Sequence, residues 1–171
     1  DLAREMDQPL AKLAVELDSR NIAVRTGEAA IGNLIADAMR AKSGADAAVT
    51  NGGGIRGGKV YPAGSTITRR DVLAELPFGN RVVTIEIRGR DLRSALENGF
   101  SRLADAAGRF PQVSGMTIKF DPRLPPGKRI QSIKIGGKPL DPNRIYRIAT
   151  NDFLARGSDG YDTFGKARSL L

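Results

Sequence analysis

Residues 51–56 read Asn-Gly-Gly-Gly-Ile-Arg, and this run constrains the fold more than any other stretch of the chain. Three consecutive glycines strip the backbone of side chains, so a ligand or a neighbouring group can approach the main-chain amides closely. Ala45 to Thr50, just upstream, reads as a short strand. The glycines then follow a strand end, where a rigid scaffold commonly holds binding loops. Asn51 brings an amide that donates and accepts, and Arg56 a permanent planar cation. The run is either a surface turn or a ligand-facing loop. Gly52, Gly54 and Gly57 formally satisfy G-x-G-x-x-G, but that fingerprint needs a helix to begin at once. Gly57-Gly58-Lys59-Val60-Tyr61-Pro62 follows instead and cannot open one. A dinucleotide-binding fold is excluded.

Elsewhere the apolar spacing changes repeatedly between helical and strand periods. Met6, Leu10, Leu13, Ala14 and Leu17 predict an amphipathic helix over residues 3–18. A second helix is predicted over 28–42, with Ile31, Leu34, Ile35, Ala38 and Met39 as its buried stripe. Glu28 falls in its first turn, where the dipole favours an anion. Arg25 stands just ahead of that N-terminus, either as a solvated arginine or sharing an anion with helix amides. Thr68 to Asp71 resembles a capping box opening a short helix that Pro77 stops. Val83, Ile85 and Ile87 alternate with polar residues as a half-buried strand. Leu92, Ala95, Leu96, Phe100 and Leu103 mark a third long helix. Strands are predicted over 116–120, 130–135 and 144–150, with a turn at Gly136-Gly137 leading into Lys138-Pro139. Helices and strands mix without strict βαβ alternation, which points to an α+β (irregular mixed α/β) fold.

At 171 residues the chain suits one domain with a real core. No apolar run approaches the roughly 18 residues of a membrane span. The chain opens on Asp1 without a Met and reads as a fragment or processed product, so a missing targeting segment says little about destination. Its 0 Cys and 0 His exclude disulfides, zinc ribbons and thiol nucleophiles, and remove the commonest metal ligand. The acidic residues are scattered, so no metal is expected here. A formal charge of +8 predicts anionic partners. The basic pairs Arg69-Arg70 and Lys128-Arg129 are short, and aromatics do not alternate with them, which weighs against extended nucleic acid.

Phe78 and Phe153 lie in segments rich in turn residues. Each either tucks inward as a loop anchor or offers a π face to a planar ligand, where stacking contributes roughly 1–3 kcal/mol per base. Nearby, Asn80 can read a base edge or structure its own turn. Asp159 can accept from paired ribose hydroxyls or form an Asx-turn.

Five ordered motifs carry a resemblance: Val24-Arg25-Thr26-Gly27-Glu28, Gly32 to Met39, Asn51 to Arg56, Leu76-Pro77-Phe78-Gly79-Asn80, and Asp152 to Tyr161. From about Ile22 to Phe164 the chain resembles the C-terminal domain of the 5′-nucleotidase family, which includes UDP-sugar hydrolases and 2′,3′-cyclic-nucleotide phosphodiesterases. Ala29-Ala30 and Ser158 depart from the family pattern. The resemblance implies that residues 21–171 are a substrate-binding domain whose partner is a nucleotide or nucleoside. It also implies that residues 1–20 are a linker helix from an N-terminal metallophosphoesterase domain of the same parent chain. That domain would hold two divalent metal ions and the catalytic residues, with no catalytic residue and no metal in this chain. By motif position Phe78 and Phe153 resemble the base-stacking pair, and Arg25 and Arg56 the cations near ribose and phosphate. Asn51 and Asn80 resemble polar contacts, Gly53 a backbone contact, and Asp159 the ribose-hydroxyl acceptor. A periplasmic or cell-surface location rests on the resemblance alone. Two rivals remain: a non-catalytic polyanion-binding module recognising nucleic acid, and a metal-free Ser–Lys hydrolase, for which no nucleophile motif surrounds any serine.

Overall fold

The computed structural model describes residues 1–170, so Leu171, the last residue of the expected 21–171 domain, lies outside the described residues. Helix α1 (Leu2–Met6) is a short segment capped by the Asp1 carboxylate, and strand β1 (Pro9–Lys12) follows it. The helix predicted over 3–18, and with it the linker helix of residues 1–20, is thereby corrected. Pro9 has no N–H for a helix and its ring crowds the preceding turn. The chain extends instead and pairs antiparallel with Thr66–Thr68, while Leu13 N–H donates to the Ser65 carbonyl at 2.8 Å. Leu10 and Val15 stay exposed, whereas Leu17 is buried in strand β2 (Leu17–Asp18). The helical spacing is thus divided between two strands.

A single turn, α2 (Asn21–Val24), precedes α3 (Ala30–Ser43), which realises the second predicted helix and ends on Gly44 at φ 66°. Glu28 lies outside α3 and accepts from Asn33 Nδ2 at 3.0 Å, so it is not the first-turn anion expected. The buried face is also rotated: Ala36 is enclosed, whereas Leu34 and Ala38 face outward. Strand β3 (Ala47–Asn51) is buried throughout. After β4 (Val60–Tyr61) and β5 (Thr66–Thr68), helix α4 (Arg69–Glu75) opens on a full capping box, with Thr68 Oγ1 accepting from Asp71 N–H and Asp71 accepting from Thr68 N–H. Strand β6 (Val82–Arg88) leads into α5 (Gly89–Gly99), which stops short of Leu103. Strands β7 (Pro111–Ser114), β8 (Met116–Phe120), β9 (Ile130–Ile135), β10 (Lys138–Pro139) and β11 (Ile145–Asn151) follow. Two short helices, α6 (Asp152–Ala155) and α7 (Asp162–Gly165), precede β12 (Arg168–Leu170).

The central sheet has the order β12-β6-β11-β3-β7, and the three-stranded sheet β10-β9-β8 stands beside it. Within the central sheet β11 and β3 run parallel, and the other pairings are antiparallel. This geometry positions everything that follows. The carboxyl ends of β3 and β11 emerge together, and β6 and β7 begin at that same edge, with Val82 opposite Asn151 and Pro111 opposite Asn51. Four segments distant in sequence, which leave β3 and β11 and lead into β6 and β7, therefore meet at one edge.

The main core gathers Val49, Ile85, Leu92, Leu96, Ile148, Leu154, Tyr161 and Phe164 between the central sheet, α5 and the C-terminal turns. Fully buried Tyr161 donates its hydroxyl to the Arg109 carbonyl at 2.7 Å. Burial, and secondarily the Asp159 carboxylate, push this hydroxyl well above the ordinary tyrosine range. A raised folded-state value gives stability that is complete below the unfolded value near pH 10 and declines above it, by about 1.4 kcal/mol per pH unit. Denaturant titrations across that range should show Tyr161→Phe flattening the decline by this amount.

Candidate functional site

Seen from the sheet edge, the glycine run forms a tight 3₁₀ turn, Gly52–Gly54, at the end of β3. Packing explains two of its members. A Cβ on Gly52 would collide with the Val24 carbonyl oxygen, and one on Gly53 would lie 2.7 Å from Gly108 Cα. Gly52 N–H donates to the Phe110 carbonyl at 2.8 Å, and Gly53 N–H to the Gly108 carbonyl at 2.9 Å. Val24 ends α2 and Arg25 caps it, so the close approach at Gly52 holds Arg25 beside the turn.

All eight residues singled out from the sequence line one cavity of about 450 Å³: Arg25, Asn51, Gly53, Arg56, Phe78, Asn80, Phe153 and Asp159. Gly54 and Gly108 complete its wall. The volume lies within the range of small-molecule sites. Phe78 is 56% exposed, on the loop between α4 and β6. The Arg56 guanidinium sits over its ring at 5.0 Å and donates from Nε to the Gly53 carbonyl at 2.7 Å. Phe153 is partly buried on α6, a short helix where sequence reading expects a loop, and packs against the main core. Arg25 Nε is buried with no hydrogen-bond partner among the described residues. A buried, unpartnered guanidinium nitrogen is costly unless something accepts from it.

The polar wall is tightly braced. Asn51 Nδ2 donates to Asp159 Oδ2 at 3.3 Å, so that carboxylate reaches across to β3 instead of forming an Asx-turn with its own backbone. Asp159 holds a left-handed φ of 57°, a conformation uncommon outside glycine but more accessible to aspartate than to most residues. The Asp159 carbonyl accepts from Asn98 Nδ2 at 2.9 Å, and Arg109 Nη1 steadies Asn98 at 2.8 Å. Glu75, 4% exposed, supports the Arg56 segment from below. Its carboxylate accepts from Tyr61 Oη at 2.7 Å and Gly57 N–H at 2.9 Å, and its carbonyl accepts from Arg56 N–H at 2.8 Å. Gln112 braces the Arg25 side: Nε2 donates to the Val24 and Gly27 carbonyls at 3.0 and 2.8 Å, and Oε1 accepts from Ala29 N–H at 3.1 Å. Sequence reasoning misses Gly108, Glu75, Asn98, Gln112 and Asn151. The first four act through contacts with remote segments, and Asn151 joins a local cap of α6 to a contact with β3.

Two π faces, two guanidinium groups, two carboxamides and a carboxylate surround one concave space at the sheet edge of an α+β domain. The family model for the 5′-nucleotidase C-terminal domain matches residues 9–166. The chain therefore belongs to that family. It is 41% identical over 162 residues to the trifunctional nucleotide phosphoesterase protein YfkN of Bacillus subtilis (strain 168), covering 90% of this chain and 11% of that one. With human 5′-nucleotidase it shares 30% identity over 172 residues, covering 90% of this chain and 30% of the relative. Among solved structures, the 5′-nucleotidase precursor from Thermus thermophilus superposes with TM-score 0.91 at 38% identity, over 99% of this chain and 34% of that one. This chain thus spans about a third or less of the length of these relatives. Among the described residues, no helix is long and apolar enough to cross a membrane.

Proposed function

We propose that the cavity binds the base and ribose of a nucleotide, and that this chain is the substrate-binding part of a nucleotide phosphohydrolase. The observation that carries this proposal is the convergence of all eight residues on one cavity of about 450 Å³. Phe78 and Phe153 supply stacking faces, Asp159 accepts from ribose hydroxyls, and Asn51 and Asn80 offer amide contacts. Arg25 and Arg56 add positive potential to the cavity wall. Relatives named as a nucleotide phosphoesterase and a 5′-nucleotidase support the substrate class.

Hydrolysis is assigned to a separate metallophosphoesterase domain of a longer parent, with two divalent ions, and residues 1–20 are the stretch that joins it. This chain's own residues do not fit such a metal centre: His and Cys number 0, and no group of three or more acidic side chains is gathered among the described residues. A periplasmic or cell-surface location for the parent accompanies this proposal.

Two-dimensional NMR titration with adenosine and AMP tests the site. Shifts are expected at the amides of Gly52–Gly54, Phe78 and Phe153, with adenosine binding nearly independent of salt. A folded sample that ignores both ligands, yet binds long RNA with log affinity falling steeply against log salt, would replace this proposal with polyanion binding.

A further inference from the structure

We infer that Asn151 is a positioning residue of the cavity: it orients the Asn51 amide and, through it, the Asp159 carboxylate, while holding the helix that carries Phe153. The inference rests on the nucleoside-binding proposal and extends it to a residue outside the cavity wall. Asn151 is 8% exposed at the last position of β11. It lines a smaller recess of about 120 Å³ behind Phe78.

The direction of each hydrogen bond fixes the next. Leu154 N–H can only donate, so Asn151 must turn its oxygen to it, at 2.8 Å, as the cap of α6. The Asn151 NH₂ group is thereby aimed at β3, where it donates to Asn51 Oδ1 at 3.0 Å and Thr50 Oγ1 at 3.3 Å. With its oxygen so engaged, Asn51 presents its own NH₂ group to Asp159 Oδ2 at 3.3 Å. A carboxylate only accepts, so the chain ends there with donor meeting acceptor at every link. Turning either amide over would set donor on donor or acceptor on acceptor. No described residue donates to Asp159 Oδ1, which remains the acceptor for a ligand hydroxyl.

Phe153 and Asp159 are therefore tied to the same buried side chain, and substitution at Asn151 can separate their contributions. Asn151→Asp keeps an oxygen to cap α6 but places an acceptor against Asn51 Oδ1, driving that amide to turn over and face Asp159 with oxygen. Asn151→Ser keeps a competent cap without introducing charge, and is too short to reach Asn51.

Calorimetric titration of the 171-residue chain with adenosine and 2′,3′-dideoxyadenosine reads the difference. Wild type is expected to prefer adenosine by about tenfold, the scale of a hydrogen bond to a charged group. In both variants that preference should fall to about one, with dideoxyadenosine affinity unchanged. A preserved preference, or equal losses for both ligands, would overturn the role of Asn151 and leave the cavity assignment standing. Wild type that binds neither nucleoside would overturn the cavity assignment and this inference with it.

Discussion

Replacing Phe78 with alanine is expected to weaken adenosine and AMP binding alike, by about tenfold to a hundredfold, with the melting temperature almost unchanged. The affinity range follows from the roughly 1–3 kcal/mol that a stacked base loses when its aromatic platform is truncated. Stability is spared because the ring is 56% exposed and its truncation opens no core cavity. Surface changes of that kind stay within about 0.5 kcal/mol. Equal losses for nucleoside and nucleotide would locate the effect at the base, since a phosphate contact would affect AMP alone. Phe153 needs a different substitution. Its ring packs against the main core, so alanine would mix lost stacking with lost packing. Phe153→Leu retains an apolar filler without a π face and should reproduce the affinity loss with a smaller stability cost. Calorimetric titration and thermal melts on the same samples separate the two terms. Unchanged affinity in both variants would remove the stacking role.

Gln112→Leu is expected to cost about 3–5 kcal/mol of folding stability, a large share of what a domain this size possesses. The side chain is 1% exposed and joins Ala29 N–H to the Val24 and Gly27 carbonyls through three hydrogen bonds. Leucine fills similar space and answers none of them, leaving a buried donor and two acceptors without partners. The room is tailored to glutamine: a Cβ on Gly32 would collide with the Gln112 carboxamide. Urea denaturation should show a lower midpoint with an unchanged slope. Because Val24 and Gly27 flank Arg25 in sequence, the same variant should weaken AMP more than adenosine.

Local chemistry was legible wherever one segment contained its own explanation. Thr68 and Asp71 cap α4 from both directions, Val83, Ile85 and Ile87 alternate along β6, and Gly136-Gly137 turns β9 into β10. The residues that line the cavity stood out for a related reason: their types are unusual for their positions, and the order of five motifs carried the family resemblance. Leu10, Leu13 and Leu17 misled because helical spacing arises by chance when two strands follow each other closely. Pairing with β5 then outweighed the weak helix propensity left around Pro9. Strand β7 passed unnoticed because Pro111-Gln112-Val113-Ser114 has no alternating pattern, and its glutamine answers to backbone groups more than eighty positions away. No local pattern can register a partner at that distance.

The parallel pairing of β3 and β11 also sets a timetable for assembly. Asn51 and Asp159 touch across 108 residues of intervening chain. During synthesis the Arg25–Arg56 half of the pocket must wait for β11, α6 and the turn at Asp159 before it has an opposite wall. Until β11 inserts, β3 and β6 present open edges to the surrounding solution, a hazard for mispairing. Closing so long a loop is slow compared with forming α3 or α5. A nascent chain interrupted before Asp159 would therefore lack the carboxylate that faces Asn51 and leave the pocket open on that side.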